Sequence, residues 1–94
     1  MDREPSLDGT WRVRRAGGLL PPMSGVRKHI GGSVGETAVG RLRGLRFDVV
    51  GNELRYRPPL AFLVDKVEPC GAGWIGTTLV AGRPIGRFHL ERPT

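Results

Sequence analysis

The side chains able to do chemistry are few and scattered along the chain. His29 and His89 are the only histidines, Cys70 and Met23 the soft donors beside them, and none of the four shows the close spacing that metal ligation uses. No metal site or resident cofactor is expected. A haem held through one axial imidazole is the single exception this inventory permits. Cys70 sits in the Gly-rich run Pro69-Cys70-Gly71-Ala72-Gly73, where a nearby cation would make it reactive; with no histidine fixed beside it, it reads as an inert thiol. The carboxylates Glu36, Asp48, Asp65 and Glu68 lie on different segments. Two of them buried together would raise one pKa and suggest acid/base work, and otherwise they are partners for surface arginines.

Cations outnumber anions, with a net charge of +6 carried almost entirely by arginine from Arg3 to Arg92. Such a balance suits nucleic acid, anionic lipid, or small carboxylates and phosphates, and does not choose between them. The cations placed to hold an anion are Arg27 and Lys28 with His29 beside an apolar loop, Arg55 with Arg57, and Arg87 with His89. Two literal motif matches carry little. Gly71-Ala72-Gly73-Trp74-Ile75-Gly76 fits G-x-G-x-x-G, and Gly31-Gly32-Ser33-Val34-Gly35 fits G-x-S-x-G. The first needs a helix opening at the glycines and the second a strand-to-helix elbow, but strand patterns surround both.

The elements that must position these groups are short strands. Ninety-four residues support one modest core, and 15 Gly with 8 Pro interrupt helices while serving turns. Residues 1–8 read as a flexible lead-in and 9–94 as a single domain. About eight runs of period-two alternation follow, each bounded by Gly, Pro or Asn: Thr10–Arg15, Val26–Ile30, Ser33–Val39, Gly44–Val50, Glu53–Arg57, Ala61–Val67, Trp74–Val80 and Ile85–Glu91. Sequential pairing of so many short strands predicts an all-β fold, a small antiparallel up-and-down barrel closed around its own side chains or one small ligand. Trp11, Val13, Phe47, Val49, Leu54, Tyr56, Phe62, Val64, Phe88 and Leu90 are the expected interior. The one long irregular link, Ala16–Gly25, contains Leu19-Leu20-Pro21-Pro22-Met23, an apolar run that either plugs a barrel end or covers a cavity.

The opening Asp8-Gly9-Thr10-Trp11 resembles the Gly-x-Trp start of the first strand in calycins, the superfamily of lipocalins and fatty-acid-binding proteins. That resemblance implies a Trp11 that closes one barrel end under a basic residue of the last strand, Arg87 or Arg92. Arg87-Phe88-His89 likewise resembles the Arg-x-Tyr pair with which fatty-acid-binding proteins hold a carboxylate, His89 standing in the Tyr position. The chain is shorter than either family, lacks the two-helix lid, and matches in two strands.

Three functional classes follow. The leading expectation is a binding module for a small hydrophobic or anionic molecule, a fatty-acid-like carboxylate, whose site would draw on Trp11, Leu19, Leu20, Met23, Tyr56, Arg87 and His89. One conflict stands inside it: Arg87 and His89 share the face opposite Phe88 and Leu90, so a strand that buries the latter pair turns Arg87 outward unless a bulge intervenes. The second class is nucleic-acid binding by a basic β surface, which the 6% aromatic content disfavours. The third is a structural or interaction domain with no ligand, and catalysis stands below all of these. A single cysteine, the lack of a leader pattern and the lack of a run of about 20 apolar residues predict a cytoplasmic protein without a membrane span.

Overall fold

A computed structural model describes residues 6–93, and the side chains of Leu42 and Arg43 are not described. Residues 1–5 of the expected lead-in therefore lie outside the described residues. Each alternating run becomes a strand: β1 Gly9–Gly18, β2 Val26–Gly31, β3 Val34–Val39, β4 Leu42–Val50, β5 Glu53–Tyr56, β6 Leu63–Cys70, β7 Gly73–Val80 and β8 Arg83–Glu91. The eight pair antiparallel in chain order and β8 returns to β1, so the expected all-β up-and-down barrel is closed. Among the described residues no helix is long and apolar enough to cross a membrane.

Closure depends on β1 serving two partners. Its first half pairs with β2, Gly9 opposite Ile30 and Arg12 opposite Arg27, and its second half pairs with β8, Arg12 opposite Glu91 and Gly18 opposite Gly86. The change of partner falls at Arg12, and a bulge between Arg15 and Gly17 bends the strand further along its pairing with β8. β1 thus runs three residues past the Arg15 boundary expected from alternation, and the irregular link shortens to Leu19–Gly25. Both motif matches resolve as turns. Gly32-Ser33 joins β2 to β3, and Gly71-Ala72 joins β6 to β7, where Gly71 adopts a φ of 60° that an L side chain resists.

The two barrel ends differ. The end formed by the β2–β3, β4–β5 and β6–β7 turns is filled by Trp11, Leu54, Val67, Trp74 and Leu90, each at most 8% exposed. There the Trp11 indole Nε1 donates to Leu7 O at 2.7 Å, and the Arg92 guanidinium stacks 3.8 Å from the ring centroid while also donating to Asp8 O at 3.2 Å. This is the first-to-last contact that the Gly-x-Trp resemblance implies, made by Arg92 and not by Arg87. The opposite end, bounded by the Leu19–Gly25 link and by the β3–β4, β5–β6 and β7–β8 connections, is the open mouth.

One strand runs in the opposite phase to expectation. Ala61-Phe62-Leu63-Val64 is a continuous apolar run that alternation cannot phase, and a reading with apolar side chains inward selects Phe62 and Val64. The structure instead turns Asp65 and Val67 inward, each at most 4% exposed, and leaves Phe62 at 51% exposed. A carboxylate replaces an aliphatic side chain in the core because a buried cation meets it there.

Candidate functional site

Period two along each strand builds one cluster in the barrel interior. Val26 and Ile30 face inward on β2, so Lys28 between them does too; Thr37 on β3, Tyr56 on β5 and Asp65 on β6 are likewise buried, and Thr78 on β7 completes the set. Lys28 Nζ lies 2.8 Å from Thr37 Oγ1, 2.6 Å from Tyr56 Oη and 3.3 Å from Asp65 Oδ2. Thr78 Oγ1 donates to Asp65 Oδ1 at 2.8 Å, and Thr37 Oγ1 and Tyr56 Oη are 2.6 Å apart. Three rings enclose the ammonium, with Phe47, Tyr56 and Phe88 centroids at 5.3, 5.2 and 5.7 Å. Such placement adds attraction between cation and ring faces, worth more where water is excluded. Every buried side-chain polar atom described has a hydrogen-bond partner.

Burial alone would push the Lys28 pKa down, but the Tyr56 oxygen and the Asp65 carboxylate outweigh it, and the value lies above the ordinary 10.5. Lys28 is therefore an ammonium at neutral pH. It is not the free amine that attack on a carbonyl requires. A group whose folded-state pKa exceeds its unfolded value lends stability that is complete below the unfolded value and is lost as pH rises through the folded one. The urea-midpoint difference between wild type and Lys28→Met should accordingly stay flat from neutral pH up to 10.5 and shrink above it. A difference that shrinks below pH 9 would show that Lys28 is not held in its charged form.

Above this floor opens a pocket of about 440 Å³ in the mouth. Its walls are Val13, Leu20, Met23, Val26, Leu63 and Phe88 among other apolar residues, and among the described residues Lys28 and Asp65 are the charged ones that line it. Leu20 seats the covering loop by packing on Gly86, where a Cβ would overlap Leu20 Cγ. A larger cleft, about 590 Å³, lies behind the same loop along Arg12–Arg15. Its cations are already engaged: Arg12 and Arg14 pair with Glu91 at 3.6 and 3.1 Å, and Arg15 Nε donates to Leu20 O at 2.7 Å. The smaller pocket holds the built polar group.

The residues expected to form a site separate into two sets. Leu20, Met23 and Tyr56 line the mouth pocket. Trp11 belongs to the opposite, filled end, and Leu19 is 86% exposed while its neighbour Leu20 points in. Arg87 is exposed and His89 half-buried on the outer face, because Gly86, Phe88 and Leu90 take the interior of β8. The one register shift against β7 inserts Ile85 on β8, ahead of Gly86, and so leaves Arg87 and His89 on the outer face. Arg87 and His89 are thus not the polar end of this pocket. His29 also faces outward, its Nδ1 3.0 Å from Thr10 Oγ1. Lys28 and Asp65 were visible in sequence only as members of a cationic triplet and of a dispersed set of acids; the signal for Lys28 was its parity with Val26 and Ile30. Among the described residues no group of three His, Cys, Asp or Glu side chains is close enough to hold a metal ion, and Cys70 is exposed.

The fold and this interior define a class, the eight-stranded closed antiparallel barrel with one filled end and one open end. No protein-family model, curated protein or solved structure matches the chain significantly.

Proposed function

We propose that the protein is a binding module that takes one small amphipathic molecule into the barrel mouth, its apolar body against Val13, Leu20, Met23, Leu63 and Phe88 and its polar end on the Lys28–Asp65 floor. The observation that carries this reading is the combination of a pocket of about 440 Å³ with a buried polar cluster at its base. That volume lies within the range of small-molecule sites, whose walls are mostly apolar with a few convergent polar groups. A barrel of this size needs no ion pair for packing, and apolar side chains of similar volume would serve stability as well or better. The closed barrel and the Arg92–Trp11 contact also support a calycin-like reading of the architecture.

Nucleic-acid binding draws less support. Trp11, Phe47, Tyr56, Trp74 and Phe88 are all buried, which leaves Phe62 as the one exposed aromatic ring on which a base would stack. Outer arginines are partly neutralised as well, with Arg55 paired to Glu53 at 2.7 Å and Arg57 to Asp48 at 2.8 Å.

Titration with Nile red, a neutral solvatochromic dye, tests the pocket. Wild type should bind it saturably with a blue shift. Leu63→Trp adds a bulky ring to the apolar wall without touching the polar floor, and should weaken binding more than tenfold while the protein stays folded by circular dichroism. Equal binding by both proteins would place the dye elsewhere and remove the mouth as the site.

A further inference from the structure

We infer that the ligand's polar end is uncharged and is a hydroxyl or similar group that both donates and accepts, in place of a carboxylate. This rests on the mouth pocket being a ligand site and follows from counting protons on its floor. Lys28 Nζ has three protons and three oxygens around it, those of Thr37, Tyr56 and Asp65 at 2.8, 2.6 and 3.3 Å. No ammonium proton is left for an incoming anion. Thr37 Oγ1 and Tyr56 Oη each accept from Lys28 and lie 2.6 Å apart, so one hydroxyl donates to the other. One hydroxyl proton of that pair remains free. Asp65 accepts from Lys28 through Oδ2 and from Thr78 through Oδ1, and a carboxylate with about four acceptor positions keeps some unused.

The floor thus offers one donor and spare acceptors, with a net charge of zero from the Lys28–Asp65 pair. A carboxylate placed on it would find a single proton and would stand beside the buried Asp65 charge, where like charges repel more strongly than in bulk water. An ammonium meets the mirror problem beside Lys28. An alcohol accepts the free hydroxyl proton and donates its own to an unused lone pair, and it disturbs neither charge. The apolar walls then take its hydrocarbon body.

Calorimetric titration at pH 7 with a matched series, decan-1-ol, decanoate and decylammonium, tests this, each kept below its aggregation threshold. Decan-1-ol should bind at least tenfold tighter than either ion, about 1.4 kcal/mol. In Asp65→Asn the floor becomes cationic, and the ratio of decanoate to decan-1-ol affinity should rise at least tenfold. Decanoate binding as well as or better than the alcohol to wild type would overturn the inference and leave the pocket standing. Failure of all three to bind up to their solubility or aggregation limits would remove the pocket reading and this inference with it. The wild-type comparison decides the matter even where Asp65→Asn does not fold.

Discussion

Lys28→Met should cost about 3–5 kcal/mol, because it strands the Asp65 carboxylate in the core with one threonine for company. A chain of this size has about 5–15 kcal/mol of total stability, so the single variant should lose a large share of it and unfold at a much lower urea concentration. The double variant Lys28→Met, Asp65→Leu should recover most of that loss, since replacing both members of a buried pair by apolar side chains is often neutral or stabilising. Urea unfolding followed by tryptophan fluorescence measures both. A single variant that loses less than 1 kcal/mol would mean that Asp65 is solvated and that the floor is not the closed network described. Recovery in the double variant would also separate stability from function. A pair that is dispensable for folding and necessary for a polar ligand's affinity is a pair kept for binding.

Trp11→Ala should cost about 3–5 kcal/mol as well, through a different mechanism. The indole is 1% exposed, fills the closed end and carries both the Leu7 hydrogen bond and the Arg92 stack. Its removal leaves a cavity among Leu54, Val67, Trp74 and Leu90 and unties the N-terminal approach to the barrel. Ligand affinity in the folded fraction should stay within about threefold of wild type, because the mouth pocket does not include Trp11. The same urea experiment, paired with dye titration below the unfolding transition, reads both quantities. Loss of affinity in step with normal stability would place Trp11 in the binding site and contradict the two-ended description of the barrel.

The architecture was legible because strands of an up-and-down barrel declare themselves locally. Each alternating run overlaps one strand, and the Gly51-Asn52 turn placed Leu54 and Tyr56 on the inner face opposite Phe47 and Val49. The site was only partly legible, for one physical reason. Alternation assigns a face by assuming that apolar side chains point inward, and the floor of this pocket breaks the assumption at Lys28 and Asp65. Lys28 reads as one more cation until Val26 and Ile30 fix its direction. Asp65 follows the apolar run Leu60–Val64, whose phase is ambiguous, and its inward position depends on a partner 37 residues earlier in the chain. The Arg87–His89 expectation failed where its own internal conflict pointed: burying Phe88 and Leu90 on β8 left the arginine outside. Non-local charge pairing inside a barrel leaves no local signature in sequence.

Chemical-shift mapping of the labelled protein with decan-1-ol tests the binding reading most directly. Saturable shifts should concentrate at the methyl and amide groups of Val26, Thr37, Leu63, Thr78 and Phe88, with the Trp11 indole and the amides of Arg87 and His89 unmoved. Shifts confined to the outer faces of β1 and β8, or no saturable shift at any site, would contradict the account of the mouth as a ligand pocket.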